Sequence, residues 1–199
     1  MKKYIKLIVF FNIILMMFAC GGDKQSTEQS QTNVAPQSKN PFHFYKKVEI
    51  RPGLDFEAIS WGNSNDSVGG VSILMSDSLH SKFKALSLER EGKIKGFWNL
   101  DLDTDGNPEL YVELLSNKNQ SDLLVYEFED NEFRKITFPS LPTKFKNDYL
   151  GNDKFNIKSG ELFRTFTIKS DSLNTPNKEI LIQYKIQNNN FSSKQIENP

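Results

Sequence analysis

Asp101, Asp103, Asp105 and Glu109 stand at positions 1, 3, 5 and 9 of the run Asp101-Leu102-Asp103-Thr104-Asp105-Gly106-Asn107-Pro108-Glu109. Carboxylates at alternate positions of a turn, with a glycine where the chain must reverse tightly, form the hard oxygen set that Ca²⁺ takes. The run is not an EF-hand: position 12, which would carry a bidentate acid, is Val112, and the strand-like LYVELL follows where a helix should begin. A plainer reading needs no ion, because the carboxylates of an Asp-rich turn also accept backbone N–H groups. Crowded carboxylates repel unless a cation or donors compensate them, so a metal held here would be structural. Ca²⁺ is the one cofactor the pattern suggests.

Other chemistry-bearing residues are sparse. The 199-residue chain has one Cys and two His, too few for an internal disulfide or for most transition-metal sites. The nearest approach to a serine nucleophile, Gly62-Asn63-Ser64-Asn65-Asp66, lacks the second glycine. His43 and His80 have no orienting group that the sequence can assign, and each reads as a surface or half-buried histidine. Gly69-Gly70 is a turn rather than a phosphate loop. Glu109 and Glu113 would suit a glycosidase, but with 25 acidic residues such pairs arise by chance. The expectation is no enzyme. Lys+Arg number 25, balancing the acids, so no basic excess is present to neutralise phosphates and nucleic acid is not expected as a partner.

Cys20 has a different chemistry. Lys2, Lys3 and Lys6 precede an apolar run over residues 7–19 that ends Phe18-Ala19-Cys20-Gly21, the layout of a secretory signal. The run is too short to span a bilayer. Met17-Phe18-Ala19-Cys20 resembles the bacterial lipobox, with Met17 where Leu is usual, and that resemblance implies cleavage before an acylated Cys20. Each buried lipid CH₂ contributes about 0.8 kcal/mol, so two or three acyl (palmitate-type) chains would hold the chain to a membrane. Cleavage removes three Lys and no acid, leaving 22 basic against 25 acidic side chains. Residues 21–40, rich in Gln, Ser, Thr and Asn, have little to bury and read as a disordered tether. Gly21, where Asp would favour inner-membrane retention in some bacteria, leans towards the outer membrane. The expected location is the cell envelope, on its periplasmic or surface face.

The elements that must position these residues are strands. From residue 41 to 199 apolar residues recur at alternating spacing between Gly, Asn, Asp and Pro punctuation, which predicts one all-β domain, a single antiparallel β-sandwich. Segments 42–50, 55–61, 71–76, 82–89, 93–100, 110–115 and 123–129 join later ones around 133–138, 162–168 and 180–186 in a set of roughly ten. Residues 78–88 carry an alternative reading as one or two helical turns. Trp61 and Trp98 lie in strand-like runs and are expected in the core. No repeat of solenoid or propeller length is present.

The Asp turn with its following strand, D-x-D-x-D-G-x-P-E-L-x-V, resembles the calcium-loop unit of integrin-alpha-like and bacterial adhesin repeats, here in one copy. The wider pattern resembles the periplasmic inhibitors of invertebrate-type (I-type) lysozyme. It consists of residues 101–112, the Pro-Leu segment 139–142, Tyr149-Leu150-Gly151-Asn152-Asp153-Lys154-Phe155, Leu162-Phe163-Arg164-Thr165-Phe166 and Leu181-Ile182-Gln183-Tyr184-Lys185-Ile186. The resemblance covers about residues 96–186, and residues 41–95 match no named pattern. It implies that a loop after the Asp-turn strand enters the lysozyme cleft and meets its catalytic carboxylates. That loop here is Ser116, Asn117, Lys118, Asn119, Gln120 and Ser121, leading to Asp122, without the family's glycines and tyrosine. Ser116, Lys118, Asn119 and Ser121 offer donors, and the Lys118 ammonium could sit between two lysozyme acids. The resemblance thus implies a membrane-anchored inhibitor with I-type lysozyme as partner. The reading from a different class is a non-enzymatic surface lipoprotein whose calcium-stabilised β domain binds a glycan or protein.

Overall fold

The structure, a computed structural model, describes residues 42–62, 68–116, 120–170 and 175–197. They belong to a compact unit, Asn40–Pro199. Cys20, the leader, the whole tether, and Asn117, Lys118 and Asn119 of the expected partner loop lie outside the described residues.

Among the described residues, twelve strands form three antiparallel four-stranded sheets. The first contains β1 (Tyr45–Arg51), β2 (Leu54–Trp61), β3 (Val68–Asp77) and β4 (Lys82–Glu91). The second contains β5 (Lys93–Leu100), β6 (Glu109–Leu115), β7 (Ser121–Glu129) and β8 (Glu132–Ile136). After a short 3₁₀ turn at Thr143–Phe145, the third contains β9 (Tyr149–Lys158), β10 (Glu161–Ile168), β11 (Lys178–Gln187) and β12 (Asn190–Ile196). In each sheet the strands lie side by side in chain order. Tight turns permit this. Asp130-Asn131, Ser159-Gly160 and Asn188-Asn189 all have positive φ at both residues, the backbone that matches the twist of a two-residue hairpin and that Asn, Asp and Gly adopt at least cost.

The all-β antiparallel class is the one expected from the alternating pattern. The layering is richer than a two-sheet sandwich, because the second sheet is covered on both faces. Leu110, Val112 and Leu114 of β6 pack with Leu54, Phe56, Ala58, Val71, Ile73 and Met75 of the first sheet. Tyr111, pointing the other way as strand geometry requires, joins Leu123, Val125 and Ile136 against Leu162, Phe166, Ile180, Ile182 and Tyr184 of the third. β6 is therefore buried at six consecutive positions, Glu109 and Glu113 included. On the outer sheets burial alternates, as on β2 and β10.

The expected strand over 82–89 forms and its helical alternative does not, two further strands are added, and the expectation for Trp61 gives way. Residues 78–81 are a turn and the chain from Lys82 is strand β4, so no helix forms there; Lys82, Lys84 and Leu86 alternate with Phe83, Ala85 and Ser87 opposite β3 in regular register. β9 and β12 join the expected strands. Trp61 is 45% exposed rather than in the core, because its partner across the sheet is Gly70, over which the indole lies.

Candidate functional site

Residues 116–120 join β6 to β7, and the backbone N–H of Ser116 donates to the Gln120 carbonyl at 2.8 Å, closing the loop. Gly92, at φ +97° in the turn between β4 and β5, lies against this base: a Cβ there would come within 2.7 Å of the Leu115 carbonyl oxygen. Ser116 is half-buried and Gln120 exposed. Ser121, expected to offer its hydroxyl to a partner, is instead the first residue of β7 and only 1% exposed. Its place is structural because its backbone is gripped from below. The Ser121 N–H donates to Asp153 Oδ2 at 2.9 Å, and its carbonyl accepts from Arg164 Nη2 at 3.2 Å.

That grip is a buried ion pair. Arg164 Nε donates to Asp153 Oδ1 at 2.7 Å, with both side chains almost wholly enclosed, and the Tyr149 hydroxyl also donates to the Asp153 carboxylate. The guanidinium lies 5.6 and 5.7 Å from the ring centroids of Phe155 and Phe166, with Tyr184 beside it. Burial opposes the charge on Arg164, but the Asp153 carboxylate outweighs it and holds the guanidinium protonated. Burial and the same carboxylate raise the Tyr149 hydroxyl above its ordinary value, so it remains a donor. Tyr149, Asp153 and Phe155 of β9, Arg164 and Phe166 of β10 and Tyr184 of β11 are thus collected into one cluster. Its outward reach is the base of the loop.

The second constellation is the Asp turn between β5 and β6. Asp101 accepts the backbone N–H groups of Asp105 (3.0 Å) and Gly106 (3.1 Å), and Asp105 accepts the N–H and the side-chain amide of Asn107. Thr104 and Gly106 have φ of 60° and 90°, the left-handed backbone that folds these donors inward. Glu109, fully buried, accepts the Leu102 N–H at 2.8 and 3.0 Å on its two oxygens. Burial pushes its carboxyl up to about 7; the Leu102 bond offsets part of this, while the negative charges of Asp103 and Asp101 add to it. The four expected ligands come together, but in two overlapping sets: Asp101, Asp103 and Glu109 form one, and Asp103, Asp105 and Glu127 the other. Glu127 on β7 was not among the residues expected to ligate.

His80 is not isolated, since its ring Nδ1 lies 2.7 Å from Asp77 Oδ2 at the turn before β4. This pair sits in a surface turn and holds that turn closed. A cleft of about 500 Å³ opens next to the loop, lined by Arg90, Gly92, Leu114, Ser116, Gln120 and Asp122. A second, of about 490 Å³, is lined by Phe44, Lys95, Trp98, Glu113, Phe155 and Ile157. In it Lys95 and Glu113 pair at 2.9 Å, and Trp98 stacks parallel to Tyr111. Compared with known proteins, the chain matches no family model and no curated protein.

Proposed function

We propose that this chain is a lipid-anchored, non-enzymatic protein of the bacterial cell envelope that inhibits invertebrate-type lysozyme by presenting the 116–120 loop to the enzyme's cleft. One observation carries the reading. Tyr149, Asp153, Phe155, Arg164, Phe166 and Tyr184, six of the positions at which the sequence resembles those inhibitors, meet in a cluster that holds the backbone of Ser121. An inhibitory loop gains affinity when its ends are fixed beforehand, because less freedom is lost on binding. Ser116, Lys118 and Asn119 supply the donors that a pair of lysozyme carboxyl groups would accept, and Lys118 supplies the opposite charge. Acylation at Cys20 places the domain where an attacking lysozyme would be met.

The test is lysis of a peptidoglycan suspension by invertebrate-type, chicken-type and goose-type lysozymes with and without the full-length chain. Inhibition confined to the invertebrate type, lost in Lys118→Ala and Ser116→Ala, is the expected result. A second reading is favoured by the cleft of Phe44, Trp98, Phe155 and Glu113, where aromatic faces beside a carboxylate suit a sugar ring. Absence of inhibition at micromolar protein, with binding of soluble glycan fragments, would replace the first reading by that one.

A further inference from the structure

The carboxylates of the Asp turn divide by what satisfies them. Both oxygens of Asp101, of Asp105 and of Glu109 accept N–H groups of the turn. Among the described residues, two carboxylate oxygens here are buried with no hydrogen-bond partner: Asp103 Oδ1 and Glu127 Oε1. Their two residues belong to the set Asp103, Asp105 and Glu127, in which one carboxylate oxygen from each residue lies within 4.8 Å of the others. Glu127 is only 1% exposed. Its other oxygen accepts Asn189 Nδ2 at 3.0 Å from the β11–β12 turn.

Strand register sharpens the problem. Glu109 on β6 stands directly opposite Glu127 on β7, both buried, and like charges directly opposite on a sheet destabilise it. No Lys or Arg among the described residues forms an ion pair with Asp101, Asp103, Asp105, Glu109 or Glu127. Five carboxylates thus meet with backbone amides and two asparagine side chains, Asn107 and Asn189, as their compensation.

We propose that Glu127 completes a Ca²⁺ site with Asp103 and Asp105, so that the cation fastens the β5–β6 turn to β7. Calcium binds oxygens at 2.3–2.6 Å, and ligands on opposite sides of one ion are then about 4.6–5.2 Å apart, a span into which the three carboxylates fit. Calcium also tolerates an irregular set completed by carbonyls and water, whereas Mg²⁺ demands a near-octahedral one and dehydrates reluctantly. Glu127 supplies from the neighbouring strand the acid that the turn lacks at Val112. The proposal is independent of which partner the 116–120 loop meets.

The experiment is calorimetric titration of the full-length chain with calcium chloride, and with magnesium chloride in parallel, alongside thermal melting in calcium or in chelator. The wild-type melting temperature should rise by roughly 5–10 °C at calcium about 100-fold above its dissociation constant. Glu127→Gln should weaken calcium binding at least tenfold and melt no lower than wild type in chelator, having lost a buried charge and kept its shape; that second readout separates a lost site from a lost fold. Asp101→Asn should weaken binding less. The proposal is overturned if wild type shows no heat or melting shift up to millimolar calcium, if magnesium acts equally, or if Asp101→Asn abolishes binding while Glu127→Gln retains it.

Discussion

Two buried polar clusters sit on the same face of the middle sheet and settle their charge in opposite ways. At Arg164 and Asp153 a cation meets an anion at 2.7 Å, with Tyr149 and the Ser121 backbone taking further valences. At Asp103, Glu109 and Glu127 the charges are all of one sign. The first cluster is complete within the chain. The second leaves Asp103 Oδ1 and Glu127 Oε1 without a hydrogen-bond partner, and it is there that we propose a cation. Both lie at the ends of β7, one beside Ser121 and the other at Glu127, so the two compensations act on one strand.

The sharpest way to break the comparison is to remove the cation that the chain itself provides. Arg164→Met should lower unfolding free energy by about 3–5 kcal/mol, read as a lower denaturant midpoint, because Asp153 is left buried and uncompensated. The double variant Arg164→Met with Asp153→Leu should recover part of that loss. In the second cluster the corresponding removal is chelation, which should cost the wild type several degrees of melting temperature. The double variant, provided it folds, should still respond to calcium, since its lost pair is at the other end of β7.

Acidity separates the clusters next. Glu109 has its carboxyl raised to about 7 from an ordinary 4.5, so its neutral form is the one the fold favours. Its contribution is therefore fully present below about pH 4.5 and lost as pH rises through about 7. In chelator the melting temperature of wild type should fall over that window, and Glu109→Gln should flatten the fall. A pH profile identical in the two proteins would count against the burial of that charge. The smallest effect is expected at Asn189→Gly, which keeps a residue suited to φ +57° but removes the amide on Glu127. It should cost about 1 kcal/mol in equilibrium unfolding.

Much of this was legible in the residues. Alternation on β2, β10 and β11 marks their inward faces directly, and the Asp turn is visible from its spacing. β9 and β12 were not read as strands for physical reasons. β9 carries Gly151 and Asn152 at positive φ and turns Asp153, an acid, inward. β12 is an edge strand with most of its residues exposed, so little apolar pattern is required of it. Arg164 occupies an inward position of β10, but that an arginine is enclosed there follows only from Asp153 on the strand beside it. Glu127 could have been found. With residues 116–120 as the loop, Leu115 stands opposite Ser121, and stepping outward along both strands places Glu109 opposite Glu127. Missing was the burial of both faces of the sheet, which turns an ordinary pair of strand glutamates into an electrostatic demand.

The chain-order arrangement of the strands has a consequence for how the domain comes into being. Among the described residues every strand pairing joins neighbours in sequence, so none of these pairings has to close a long loop before it is rewarded. We expect three meanders to form separately and early, with docking of the layers as the late step. Pulsed hydrogen exchange during refolding should then protect hairpin amides of all three sheets before the tertiary fluorescence of Trp98 appears. Until docking, the middle meander has two greasy faces and nothing to cover either, which makes it the segment most in need of its neighbours' timely arrival.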